Sequence, residues 1–183
     1  MRRLLFESLV RRPLTEARPA PDDAMLGELA ASLDRMARAR LGRSLSIREV
    51  DAGSCNGCEL EIHALNNAFY DLERFGLHFV ASPRHADVLL VTGPVTRNMR
   101  EALQRTYEAT PDPKWVVAVG DCALDGGIFS GSYAVTGGVS DVVPVDLHIR
   151  GCPPRPVQLL KGLLALVENP VARMERSRDG ASA

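Results

Sequence analysis

The chain has 183 residues and a mass of 19.9 kDa, with 45% apolar and 25% charged residues, the balance of one folded domain with a short appended segment. Its 22 Lys and Arg nearly offset 23 Asp and Glu, which makes it a poor candidate for gripping a long nucleic-acid backbone, a task that needs a concentrated cationic surface. No run of about 18 apolar residues is present to span a bilayer, and the basic start is cut by Glu7 and Arg11-Arg12 rather than running into a secretory apolar core. These features predict a cytoplasmic chain whose four cysteines are not structural disulfides.

Residues 1–43 read as an N-terminal arm and helix. Pro13, Pro19 and Pro21 interrupt any long helix. Asp22-Asp23 opens a segment with Leu26, Leu29, Leu33 and Met36 at helical spacing, and Gly42 closes it. A domain over 44–168 follows, then a tail over 169–183. Leu45–Val50 predicts a strand, 51–58 a turn-rich loop, and Glu59–Glu73 a helix ended by Gly76. Leu77–Val80 predicts a short strand and Asp87–Thr92 a buried parallel one, because its apolar run is continuous. Thr96 is placed to cap a helix running through Tyr107. Lys114–Val119 predicts another buried strand, with Trp115 in the core. The glycines at 126, 127, 131, 137 and 138 predict a loop. Val142–Val145 reads as a short edge strand and 156–168 as the final helix. Alternating strands and helices imply a parallel α/β sheet.

All four cysteines fall in loops after strands. Cys55 and Cys58 follow the first strand, Cys122 follows Lys114–Val119, and Cys152 follows 142–150. In a parallel sheet these loops gather along one edge, the usual ligand edge. Converging thiolates suit zinc or an iron–sulfur cluster. Structural zinc usually takes two short Cys pairs, whereas this chain has one pair and two singles. That pattern favours a [4Fe–4S] cubane, with zinc and unliganded thiols as the alternatives. Gly53 and Gly57, and Gly120 and Gly151 beside the later cysteines, would let backbone amides approach sulfur. Cys58 at a helix start gains from unpaired amides, and Pro153-Pro154 would stiffen the last loop.

Five segments occur in one order: Gly53–Glu61 with its Cys55-Asn56-Gly57-Cys58, Ser82–Asp87, Thr92–Thr96, Gly120-Asp121-Cys122, and Gly151-Cys152-Pro153-Pro154. Together they resemble the small subunit of [NiFe] hydrogenases and its relative, the 20-kDa (B) subunit of NADH:quinone oxidoreductase (complex I), over about residues 44–168. The complex I branch typically has two adjacent cysteines at the first ligands. The spaced pair here, and Asp51–Val95 as a whole, look most like membrane-bound, energy-converting (group 4, formate hydrogenlyase-like) hydrogenases. The resemblance implies a flavodoxin-like fold and one proximal [4Fe–4S] cluster on Cys55, Cys58, Cys122 and Cys152. It also implies no catalysis by this chain alone. The implied partners are a large subunit carrying the nickel–iron site, or its complex I homologue, a ferredoxin-like iron–sulfur subunit, and membrane subunits. The implied location is peripheral, on the cytoplasmic side of the inner membrane. A B-type subunit of a quinone-reducing complex is the alternative reading, and a structural zinc scaffold is the alternative of another class.

Two positions depart from the resemblance. Asp121 stands where a small residue is common, and Arg150 where proline is common. Charges beside a cluster alter its potential. Glu59 and Glu61 read first as partners of a helix dipole, with a proton-relay or subunit-contact role as the alternative. His63 and His85 lie outside any zinc motif, and Arg84 reads as a loop or interface anchor. The loop Gly93–Thr96 is expected to face the large subunit. The arm at 1–18 is expected to pack on a membrane subunit, or to lie on lipid with Leu4, Leu5, Leu9 and Val10 inward.

Overall fold

Residues 23–168 are described by a computed structural model of the chain; the arm at 1–18 and the tail at 169–183 lie outside the described residues. The elements in chain order are α1 (Asp23–Leu41), β1 (Leu45–Asp51), α2 (Gly57–Ala64), β2 (Leu77–Phe79), β3 (Val88–Thr92), β4 (Val95–Thr96), α3 (Arg97–Ala109), β5 (Trp115–Val119), α4 (Asp121–Asp125), β6 (Val135–Gly137), β7 (Leu147–Ile149) and α5 (Pro156–Glu168).

Five strands form one parallel sheet in the order β2-β1-β3-β5-β7. This is the doubly wound, flavodoxin-like order, whose ligands bind beyond the carboxyl ends of the strands. The continuous apolar runs of β3 and β5 follow from cover on both faces. Val88, Leu90, Trp115, Val117 and Val119 pack with α1, α2 and α5 on one face. Leu89, Val91, Val116 and Ala118 pack with Leu103 of α3 and Ala123 of α4 on the other. Asp87 anchors the start of β3. Its buried carboxylate accepts the Ser46 N–H at 2.9 Å and two guanidinium bonds from Arg43 at 2.6 and 3.0 Å. Gly162 lets α5 approach the sheet closely, because a Cβ there would lie 2.4 Å from Ile149 Cδ1.

Four local expectations are corrected. The helix expected over Glu59–Glu73 ends at Ala64. The Asn67 side chain accepts the N–H groups of Phe69 and Tyr70, a local turn that competes with helix. The chain then folds back, so that Leu72 N–H donates to Leu65 O at 3.0 Å and both leucines are buried. The edge strand lies at Leu147–Ile149 rather than Val142–Val145. Pro144 has no N–H for a ladder. Pairing with β5 begins at Asp146, whose N–H donates to Val116 O and whose carboxylate accepts Val116 N–H, both at 2.8 Å. Thr96 occupies the N-cap position of α3 as expected, but its hydroxyl makes no capping bond and donates instead to Ala52 O at 3.1 Å. Part of the glycine-rich stretch is also not loop, since β6 pairs antiparallel with β4.

Candidate metal centre

The carboxyl ends of β1, β5 and β7 deliver three loops to one rim of the sheet, and each carries cysteine. The first loop is built from short polar contacts. Asp51 accepts the N–H groups of Gly53 and Ser54, both at 2.7 Å, and Ser54 Oγ accepts Asn56 N–H at 3.0 Å. Asn56 takes a left-handed conformation (φ 70°), which asparagine tolerates, and this turns the chain into α2. Cys55 therefore sits in the loop and Cys58 in the first helical turn. Glycine allows the loop to pack against the β3–β4 turn. A Cβ on Gly93 would lie 2.5 Å from Ser54 N, and one on Gly53 would lie 2.3 Å from Thr96 Cγ2. Gly53 thus lets the cysteine loop pack closely on Thr96.

The second and third loops are stitched to each other. Gly120 N–H donates to Ile149 O at 2.8 Å and Asp121 N–H to Gly151 O at 2.9 Å. These bonds continue the β5–β7 pairing past the strand ends. Cys122 enters on the first turn of α4. Cys152 follows Gly151 in an exposed turn.

The glycines record how closely the loops meet. A Cβ on Gly120 would stand 2.7 Å from Cys58 Sγ and 3.4 Å from Gly151 O. One residue of the second loop therefore faces a sulfur of the first. A Cβ on Gly127 would stand 2.9 Å from Cys122 Sγ. A Cβ on Gly57 would lie 3.6 Å from Cys55 Sγ and 4.0 Å from Pro153, the neighbour of Cys152. An open pocket of about 440 Å³ lies between Cys122 and Cys152, with Asp121, Asp125, Ile128 and Arg150 in its walls.

The thiols also share an electrostatic environment. Burial pushes the Cys58 thiol up to about 12, and Glu59 and then Cys55, Cys122 and Cys152 add repulsion. Burial likewise raises Cys122, with repulsion from Cys152 next, while a hydrogen bond from the Ile128 backbone opposes the rise. Thiols raised in this way would have to release their protons to ligate a metal, and a cationic metal group would relieve their mutual repulsion. Among the described residues, no three His, Cys, Asp or Glu side chains lie close enough to share one metal ion. A single tetrahedral zinc, with Zn–S near 2.3 Å, would need sulfurs about 3.8 Å apart.

The raised thiols carry a sign for the metal-free chain. The unfolded value for Cys58 is 9.0 and the folded value about 12. Its contribution to stability is therefore complete below pH 9.0 and is lost as pH rises toward 12. Urea denaturation of the reduced, metal-free chain should show this decline above pH 9.0, and Cys58→Ala should lessen it, leaving the part due to Cys122.

Of the remaining candidates, Glu59 lies in the first turn of α2, as a dipole partner would, but it is buried. Neither of its carboxylate oxygens has a hydrogen-bond partner among the described residues. His63 is exposed, with Nε2 3.7 Å from Glu49 Oε2. Arg84 and His85 are exposed in the turn Pro83–His85, and Trp115 is buried in the core. The sequence places Gly120 beside Cys122, whereas a Cβ on Gly120 would face Cys58 Sγ; a Cβ on Gly151 would meet Pro154. Gly127, read in the sequence only as part of a glycine-rich loop, lies against Cys122 Sγ; the Gly126-Gly127 pair so soon after a cysteine was the available signal.

Comparison with known proteins gives consistent relatives. The sequence profile described as NADH ubiquinone oxidoreductase, 20 Kd subunit, matches residues 55–166. Formate hydrogenlyase subunit 7 of Escherichia coli is 43% identical over 85% of this chain, which spans 62% of that protein's length. A probable membrane-bound hydrogenase subunit of Pyrococcus furiosus is 48% identical over 70% of this chain and 77% of its own length. The B subunit of the NADH-quinone oxidoreductase of Citrifermentans bemidjiense is 44% identical over 87% of this chain and 92% of its own. Among solved structures, a chain of the membrane-bound sulfane sulfur reductase, an archaeal respiratory membrane complex, superposes with a TM-score of 0.63 at 38% identity, covering 78% of each chain.

Proposed function

This chain belongs to the NADH ubiquinone oxidoreductase 20-kDa subunit family, and from that premise we propose that it is the electron-transfer small subunit of a membrane-bound, energy-converting [NiFe] hydrogenase-type complex. Its relatives are subunits of oxidoreductase complexes. Cys55, Cys58, Cys122 and Cys152 hold one proximal [4Fe–4S] cluster. The observation that carries the reading is the meeting of the three cysteine loops, with Gly120 of the second against Cys58 Sγ of the first. The donor set is soft sulfur throughout, as iron–sulfur ligation requires, and the glycines leave room beside two of the sulfurs. When bound, such a cluster supplies one-electron transfer.

The chain's own contribution is placement. The loops fix the four thiols at the sheet rim, and burial and nearby charges set the environment of the sulfurs. Exposed Leu60, Ile128 and Tyr133 on these cluster-side segments provide apolar surface for a large subunit. A ferredoxin-like subunit completes the electron path. Among the described residues no helix is long and apolar enough to cross a membrane. Relatives in membrane-bound complexes support a peripheral position; in this reading it lies on the cytoplasmic side, and the arm at 1–18 would dock on the membrane subunits. The spaced Cys55-Asn56-Gly57-Cys58 pair favours the hydrogenase branch over the quinone-reducing, complex I-type one. The second reading has support from the long match to the Citrifermentans protein.

Electron paramagnetic resonance of the assembled complex during turnover tests the relay. The cluster signal should appear and vanish as the complex is reduced and reoxidised. A cluster that keeps one redox state throughout turnover would contradict the proposal.

A further inference from the structure

Asp121 and Arg150 close one side of the pocket between Cys122 and Cys152. Asp121 Oδ1 lies 3.3 Å from Arg150 Nε and accepts the Gly151 N–H at 3.3 Å. The Asp121 N–H in turn donates to Gly151 O at 2.9 Å. One residue, adjacent to Cys122, therefore makes three contacts to the two residues that precede Cys152. Both side chains are largely solvent-exposed, at 41% for Asp121 and 73% for Arg150, so an ion pair here adds little to folding. Its position between two cysteine loops is the feature to be explained.

Resting on the reading that these thiols hold a cluster, we propose that Asp121 and Arg150 are paired positioning residues that clasp the Cys122 and Cys152 loops together and balance charge beside the cluster. The clasp has two separable parts. The backbone–carboxylate contacts to Gly151 hold the loops in register. The opposed charges act on the redox equilibrium. Reduction adds an electron, so a nearby carboxylate opposes it and a nearby guanidinium favours it. The pair keeps these effects close to cancelling. Neither alanine at 121 nor proline at 150 could make these side-chain contacts.

The test uses the full chain loaded with iron and sulfide under anaerobic conditions, with D121N, R150Q and the double variant. Redox titration followed by paramagnetic resonance reads the midpoint potential, and iron release to a chelator reads how firmly the loops hold. D121N should raise the potential, R150Q should lower it, and the double variant should return toward wild type. D121A should release iron several-fold faster than D121N, because asparagine keeps an oxygen for the Gly151 N–H. Unchanged potentials in D121N and R150Q, or shifts of the same sign, would overturn the charge balance. Wild-type iron release in D121A would overturn the clasp. Should D121N fail to load, the sign of the R150Q shift decides, since that substitution leaves both Asp121 contacts to Gly151 in place. A wild-type chain that takes up no cluster would instead overturn the preceding proposal, and this one with it.

Discussion

Cys122→Ser should remove the iron–sulfur cluster from the chain while leaving its fold intact. The substitution exchanges a soft thiolate for a hard hydroxyl at the first turn of α4, and iron–sulfur clusters are held by thiolates. Little packing is lost, because Cys122 is only partly buried and the change conserves volume. The stability of the metal-free chain should move by no more than about 1 kcal/mol, the usual scale for a substitution outside a core. Visible absorbance and the paramagnetic signal should disappear, and far-ultraviolet circular dichroism should stay. The same outcome is expected for serine at Cys55, Cys58 and Cys152. In the assembled complex each variant should stop electron flow. A Cys122→Ser chain with full iron and sulfide content would remove Cys122 from the ligand set.

Gly120→Ala should be nearly as damaging, although it replaces no cysteine. Gly120 adopts φ 90° and ψ 159°, a conformation that side chains rarely accept and that costs about 1–3 kcal/mol when forced. The new methyl would stand 2.7 Å from Cys58 Sγ and 3.4 Å from Gly151 O. The sulfur must move away, or the second loop must lift and lose the Gly120 N–H bond to Ile149 O. Either response disturbs two cysteine loops at once. Iron loading should therefore fall severely, and urea denaturation should show the strain. Gly131→Ala is the matched control. Its φ is 80°, yet a Cβ there would meet nothing within 4 Å. It should lose stability to backbone strain and keep its loading. Equal loading in both variants would show that the space beside Cys58 is immaterial.

Much of this site is legible without coordinates. The runs at 87–92 and 114–119 are apolar without alternation, and that pattern belongs to strands covered on both faces. From a parallel sheet it follows that cysteines after β1, β5 and β7 share an edge. The turn at Asn66–Tyr70 is harder to see. Leu65 and Leu72 keep helical spacing, and they do share a core, but through a chain that folds back on the Asn67 side chain. Periodicity does not tell those two routes apart. The shift of the edge strand from 142–145 to 147–149 has a similar origin. Val142, Val143 and Val145 have strand propensity, while the missing N–H of Pro144 and the carboxylate of Asp146 decide the register. The contact of Gly120 with Cys58 joins residues 62 positions apart, and nothing local encodes it. In the sequence the Asp121–Arg150 clasp is visible only as two charged residues in unexpected places. Its meaning needs the loops side by side.

The central claim is that the four thiols together bind one inorganic iron–sulfur cubane. Metal and acid-labile sulfide analysis of the full chain, purified without oxygen, tests it most directly. About four iron and four sulfide per chain, with negligible zinc, is the expected composition of a [4Fe–4S] centre. Zinc in place of iron, with no sulfide released by acid, would contradict it.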